Sequence, residues 1–239
     1  MGKQIITQRR GRGTTTYRSH SHRFKTEIRY RQIHFGEKVI AGKITDLFNC
    51  PGHSAPIAKI VFTDKSEQYI SAPLNVKVGS QIQSGEEAKI SPGNTLPLKS
   101  IPEGTEVFNL ERIPGDGGKF CRASGSAAKV VKRTVDSVTI QFPSKKEKKL
   151  HPNCRATIGL VSGGGRKEKP LYKAGKNFHR LKARGKLYPR TSGVAMNAVD
   201  HPFGSGRGRQ HAKIKVVSRH APPGKKVGKV AARRTGKRK

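Results

Sequence analysis

Tryptophan is absent from these 239 residues, methionine and cysteine occur only two and three times, and 15 acidic side chains face 50 Lys and Arg. Each shortage excludes something. With aromatics at 6%, a core must rest on Val, Ile, Leu and Phe. Cys50, Cys121 and Cys154 are odd in number and widely spaced, which is no disulfide framework; reduced thiols in a cytoplasmic protein are expected. No apolar run reaches the roughly 18 residues of a membrane-spanning helix. The opening MGKQIITQRRGRG has neither the apolar stretch nor the cleavage site of a secretory signal. Its Met1-Gly2 start lacks the Ser or Thr at position 6 that myristoylation calls for. The length suits one large domain or two small ones.

The formal charge of +35 exceeds anything solubility requires, and a compact body carrying it would repel itself without a dense anion nearby. Nucleic acid is the first candidate partner and an anionic membrane surface the second. The charge is unevenly spread. Residues 1–26 hold seven cations and no acid, whereas residues 27–118 hold ten cations and eleven acids. Residues 119–165 hold ten and two, residues 166–190 ten and one, and residues 203–239 thirteen and none. An ordinary globular block is thus flanked by one-signed, Gly- and Pro-rich segments. Such segments bury too little apolar surface to offset their ordering entropy and are expected to order on a polyanion, with steep salt dependence.

The apolar patterning is mostly β. Residues 38–45 (KVIAGKIT) and 57–63 (IAKIVFT) read as strands, and TDKS turns the second into EQYIS as a hairpin. EVFNLE (106–111) is a further strand, and residues 80–105 are less regular because Pro92, Pro97 and Pro102 limit any central strand. Short strands at this spacing predict a small barrel. IPGDGGKF then breaks the chain at a domain junction. AKVVKR (128–133), SVTIQF (137–142), KKEKKL (145–150) and RATIGLV (155–161) predict a second barrel, with TVDS as the turn between the first two. One short basic helix is expected at KNFHRLKAR (176–184), stopped by Gly185.

Two loops point to phosphate. VSGGGRKEKP (161–170) places three glycines before Arg166 and Lys167, and PGDGGKFCRASG repeats the logic with Lys119 and Arg122. Glycine lets backbone N–H groups approach an anion. Neither loop has the Gly-Lys-Ser/Thr ending of a nucleotide-binding P-loop. CPGH (50–53) is a Cys-x-x-His pair, but zinc would need two further ligands, so Cys50 and His53 are read as an incidental pair. His20 and His22 read as solvated or RNA-facing residues.

GVAMNAVDHPFGSGRGRQH (193–211) sets Asp200 beside His201. The pair invites an acid–base reading, but adjacent side chains in extended backbone point to opposite sides, and no nucleophile motif accompanies them. Asp200 is expected to brace a turn, through its own backbone or a neighbouring Arg, and cationic surroundings favour a neutral imidazole at 201.

At these residues the chain resembles a known family, that of universal large-ribosomal-subunit protein number two. GVAMNAVDHPFGSGRG is close to its signature, PGDGGKFCRASG is similar to its glycine-rich junction, and VSGGGRKEKPLYKAGKNFHRLKARGKLYPRTSG is similar to the archaeal and eukaryotic form; the resemblance runs almost end to end. It implies a mainly β fold: a basic N-terminal arm (1–36), an oligonucleotide-binding-type β-barrel (37–113), an SH3-like β-barrel with the short basic helix (114–190), and a glycine/arginine loop with a basic C-terminal arm (191–239). It implies a structural rRNA-binding role in the ribosome, in large-subunit assembly, subunit association, tRNA binding and support of the peptidyl transferase region. The implied partners are large-subunit rRNA, neighbouring ribosomal proteins and small-subunit rRNA at the interface, with no membrane and with Mg2+ only as RNA counterion. Phosphate contacts are expected from Arg9, Arg10, Arg12, Lys119, Arg122, Arg166 and Lys167, then from His179, Arg180, Arg184, Arg207, Arg209 and Lys213. Gly164, Gly165, Gly204 and Gly206 would let backbone approach RNA, and Met196, Asn197 and His201 would fit an RNA pocket. The family's signature histidine falls on His201, whose direct part in peptide-bond formation is disputed. Bacterial members carry a second His where this chain has Phe203, so a two-histidine mechanism does not transfer. General-base action of His201 and a non-specific nucleic-acid chaperone are the competing readings.

Overall fold

The computed structural model describes residues 2–32, 38–206 and 216–232. The chain forms two compact units: residues 21–170, and residues 1–20 together with 171–239.

The first unit is mainly β, two small barrels in tandem sharing one continuous ladder. Its strands are β1 (Val39–Phe48), β2 (Ile57–Phe62), β3 (Glu67–Ser71), β4 (Gln81–Gly85), β5 (Thr95–Pro97), β6 (Glu106–Phe108), β7 (Ala128–Arg133), β8 (Val138–Gln141), β9 (Glu147–Leu150) and β10 (Arg155–Ile158). They lie in the order β3-β2-β1-β4-β5-β10-β6-β7-β8-β9. All neighbours pair antiparallel except β4 and β5, which meet in parallel at Ser84 and Thr95. β1 alternates exposed and buried residues through Thr45, as a strand with one face on a core must. Ile40, Ile44, Ile60, Phe62, Ile70 and Ile82 fill the first core, and Leu96, Leu98, Val107, Val130, Ile140 and Ala156 are among those filling the second.

In this unit the structure departs from the sequence expectations at three points. Leu96, Val107 and Leu110 pack in the second core rather than the first, so the cores divide between Ile82 and Ala88 and not at 113. The cause is β10, which inserts between β5 and β6 and draws both into the second barrel. The EVFNLE strand ends at Phe108 because Asn109 takes a left-handed φ of 49°. Ile28 and Tyr30, read as arm, are buried against the body, and Arg29 forms an antiparallel bridge to Tyr69 of β3.

A charged knot ties this unit together. Glu111 is fully buried and accepts from the backbone N–H of Gly115, Gly117 and Arg155 at 3.2, 3.2 and 2.8 Å. It also accepts from the Arg155 guanidinium at 2.8 and 3.1 Å. Arg155 donates onward to the Arg31 carbonyl at 2.7 Å and lies over the Tyr30 ring. The Tyr30 and Thr157 hydroxyls are 2.6 Å apart, and burial raises the phenol's pKa well above its ordinary value.

The second unit is sparse. It contains α1 (Ile6–Arg9), α2 (Ala174–Lys182) and a two-residue parallel pairing of β11 (Val216–Val217) with β12 (Lys229–Val230). α2 matches the expected basic helix, shifted by two residues, and belongs to this unit rather than to the second barrel. It buries no side chain.

Candidate nucleic-acid interface

The two glycine loops come together in the first unit. Gly125 donates its N–H to the Val161 carbonyl at 3.0 Å, and a Cβ at 125 would sit 2.6 Å from the Gly164 Cα. Only glycine permits that approach. A third loop joins them: the Ser124 N–H donates to the Ser54 hydroxyl at 3.0 Å, bringing the CPGH turn alongside. Three segments far apart in sequence thereby present one surface.

Beside that surface lies a cavity of about 410 Å³, lined by Phe24, Glu27, Arg29, His53, Lys119 and Arg122 among others. Arg122 is half-buried and donates to the Ile28 carbonyl at 3.1 Å, which fixes its guanidinium. Phe24 and His53 lie with ring centroids 6.4 Å apart. The buried Nδ1 of His53 has no hydrogen-bond partner among the described residues. Burial, and secondarily the charge of Arg122, lowers the His53 pKa below its ordinary value. These rings beside the anchored Arg122 and the exposed Arg29 and Lys119 offer stacking faces and phosphate contacts together.

Lys119 and Arg122, both expected as phosphate contacts, line this one cavity. Gly164 lies at the loop contact, and Gly165, Arg166 and Lys167 follow it exposed. Phe24, Arg29 and His53 were missed as a set. The basic run before residue 31 was the available signal, but only the fold brings it to the CPGH turn.

Cys50 is buried beside Ile28 and Ile57, where its sulfur accepts from the Lys25 N–H at 3.4 Å. Burial pushes its thiol pKa up, but N–H groups of Lys25, Gly52, Thr26 and His53 together bring it below the ordinary value. The Cys50–His53 turn is thus closed by protein hydrogen bonds. No group of three or more His, Cys, Asp or Glu able to hold a metal occurs among the described residues.

In the second unit Arg9, Arg10 and Arg12 lie exposed on α1 and the turn after it, and His179, Arg180 and Arg184 lie exposed on and just past α2. The expected contacts Arg207, Arg209 and Lys213 lie outside the described residues. The signature loop is a closed turn: Asp200 and His201 donate their N–H groups to the Asn197 carbonyl, and buried Gly204 donates to His201. Gly206 is exposed at its end. Asp200 pairs with Lys3 at 3.4 Å, a lysine rather than the expected arginine. The Nδ1 of His201 accepts from the Phe203 N–H at 3.0 Å.

A mainly β body with converging glycine loops, clustered cations and basic, uncored extensions defines a basic RNA-binding protein. The chain belongs to the ribosomal protein L2 family. Residues 2–84 match the model of the RNA-binding N-terminal domain of Ribosomal Proteins L2, and residues 91–221 match that of the C-terminal domain. It is 51% identical over 241 residues to large ribosomal subunit protein uL2 of Methanothermobacter thermautotrophicus, covering 100% of both chains. The uL2 of Haloarcula marismortui is 52% identical over 238 residues, covering 99% of this chain and 98% of that one. The Archaeoglobus fulgidus protein is 51% identical over the full length of both. Among the described residues no helix is long and apolar enough to cross a membrane.

Proposed function

We propose that this chain is a structural constituent of the large ribosomal subunit that binds its rRNA and has no catalysis of its own. The observation that carries the reading is the convergence of the CPGH and 119–125 loops around Arg29, His53, Lys119 and Arg122, with the 161–165 loop packed against Gly125. The cations there neutralise phosphate, and the Gly125–Gly164 contact holds the two loops together. Mg2+ enters only as an RNA counterion. Neighbouring ribosomal proteins and small-subunit rRNA at the interface are the further partners, and subunit association, tRNA binding and support of the peptidyl transferase region follow from that position in the cytoplasmic ribosome.

Two measurements test this. On a sucrose gradient of cell extract the chain should sediment with large subunits; a chain found mainly free of them refutes the reading. Subunits carrying His201→Gln that assemble normally should form peptide bonds at the parental rate, because Asp200 is engaged by Lys3 and His201 Nδ1 by backbone. A loss on the order of 10²–10⁴ in rate would instead mark His201 as a general base.

A further inference from the structure

The second unit holds 25 Lys and Arg and a single acidic side chain, Asp200. A lone carboxylate in a segment made to meet phosphate is repelled by its own target. Phosphate offers no hydrogen-bond donor to offset this, but base edges do.

Asp200 lies on the wall of a cavity of about 320 Å³. Ile5, Met196, Phe203 and Val227 give it apolar walls, and Arg190 and Lys226 add cations. The volume falls at the lower end of the roughly 300–1,000 Å³ of small-ligand sites. The His201 imidazole also lines it, 5.2 Å from the Phe203 ring centroid and inclined at 59°. Gly193 makes that wall possible, since a Cβ at 193 would overlap the imidazole. The Lys3 N–H donates to the Val199 carbonyl at 2.7 Å, so the chain's start holds the loop beside Asp200. The Asp200 side chain remains 41% exposed despite the Lys3 pair, which leaves its carboxylate able to take a second partner.

We propose that this cavity is a socket for one extruded rRNA nucleobase, held by the apolar walls and read by Asp200 through the base's own N–H donors. The proposal rests on the rRNA-binding reading above. Guanine, with adjacent N1–H and N2–H donors, suits the carboxylate best, and Arg190 and Lys226 meet the flanking phosphates. Sequence-specific RNA recognition commonly takes this form, with an unstacked base bonded along its edge.

The test uses whole subunits and the full chain. Large subunits grown with 6-thioguanosine or irradiated at short wavelength should yield a guanosine adduct on the peptide spanning Met196–Phe203. In cells expressing tagged variant and parent together, Asp200→Asn should be under-represented in large subunits by about tenfold, the scale of losing one base contact. Removing a negative charge strengthens a purely electrostatic RNA binder, so equal or greater incorporation of Asp200→Asn overturns the socket. Lys3→Met breaks the same ion pair and should incorporate nearly as the parent does; a loss equal to that of Asp200→Asn assigns the effect to the ion pair and also overturns it. Absence of an adduct on this peptide, with adducts elsewhere on the chain, overturns it while leaving the rRNA-binding reading intact. A parent chain missing from large subunits fails the broader reading instead.

Discussion

Residues 21–170 and the unit formed by the two chain ends solve opposite problems. The first holds four clusters of buried apolar side chains and a buried ion pair satisfied on every side. The second, among its described residues, buries only Ile5 and Val217 of its apolar side chains, while its sequence carries 25 cations. Stability in the first comes from within the chain. In the second, apolar burial is too small to offset ordering, so its shape depends on the anion it meets. The first unit is therefore a finished surface, whereas the second is expected to order fully only on a polyanion.

The largest expected effect breaks the first unit. Glu111→Ala leaves Arg155 buried without its partner and should cost about 3–5 kcal/mol in denaturant unfolding of the RNA-free chain. A change no larger than that of an exposed ion pair would contradict the contrast. Limited proteolysis of the same RNA-free chain should then trim both ends first and leave a fragment near 21–170, with the trimmed regions protected in assembled subunits. Cleavage at equal rates throughout would remove the distinction. Arg122→Ala should weaken RNA binding without regard to sequence and lower the slope of log affinity against log salt by about one. Lys3→Ala, an exposed pair in the second unit, should change stability by less than about 1 kcal/mol.

The smallest effect concerns pH. The folded His53 has a lowered pKa, first through burial and then through Arg122. The unfolded chain thus takes up the proton first, and stability falls as pH drops below the ordinary value of 6.5. His53→Gln should flatten that slope; an unchanged slope would assign the acid loss to other groups.

Much of the β architecture was legible because Val, Ile and Thr runs between Pro and Gly mark strands locally. AKVVKR coincides with β7, and TDKS turns β2 into β3 as expected. The division between cores was not legible, since no local pattern tells β10 to pair with β5 and β6. Glu111 gave no sign of burial either: in sequence it is one acid among eleven in its block. The glycine loops were visible as loops, and their convergence was not. The signature stretch was specific enough to suggest the family, while the partner of Asp200 lies almost two hundred residues away.

The insertion of β10 between β5 and β6 also sets an order in time. β5 and β6 have no pairing with each other, so the ladder stays open until residue 158 has been made. Synthesis runs from the N-terminus and domains fold as they emerge. The folded body can therefore close before most of the cation-rich C-terminal segment exists, and the newborn chain exposes most of its charge last, when a finished scaffold is already there to carry it.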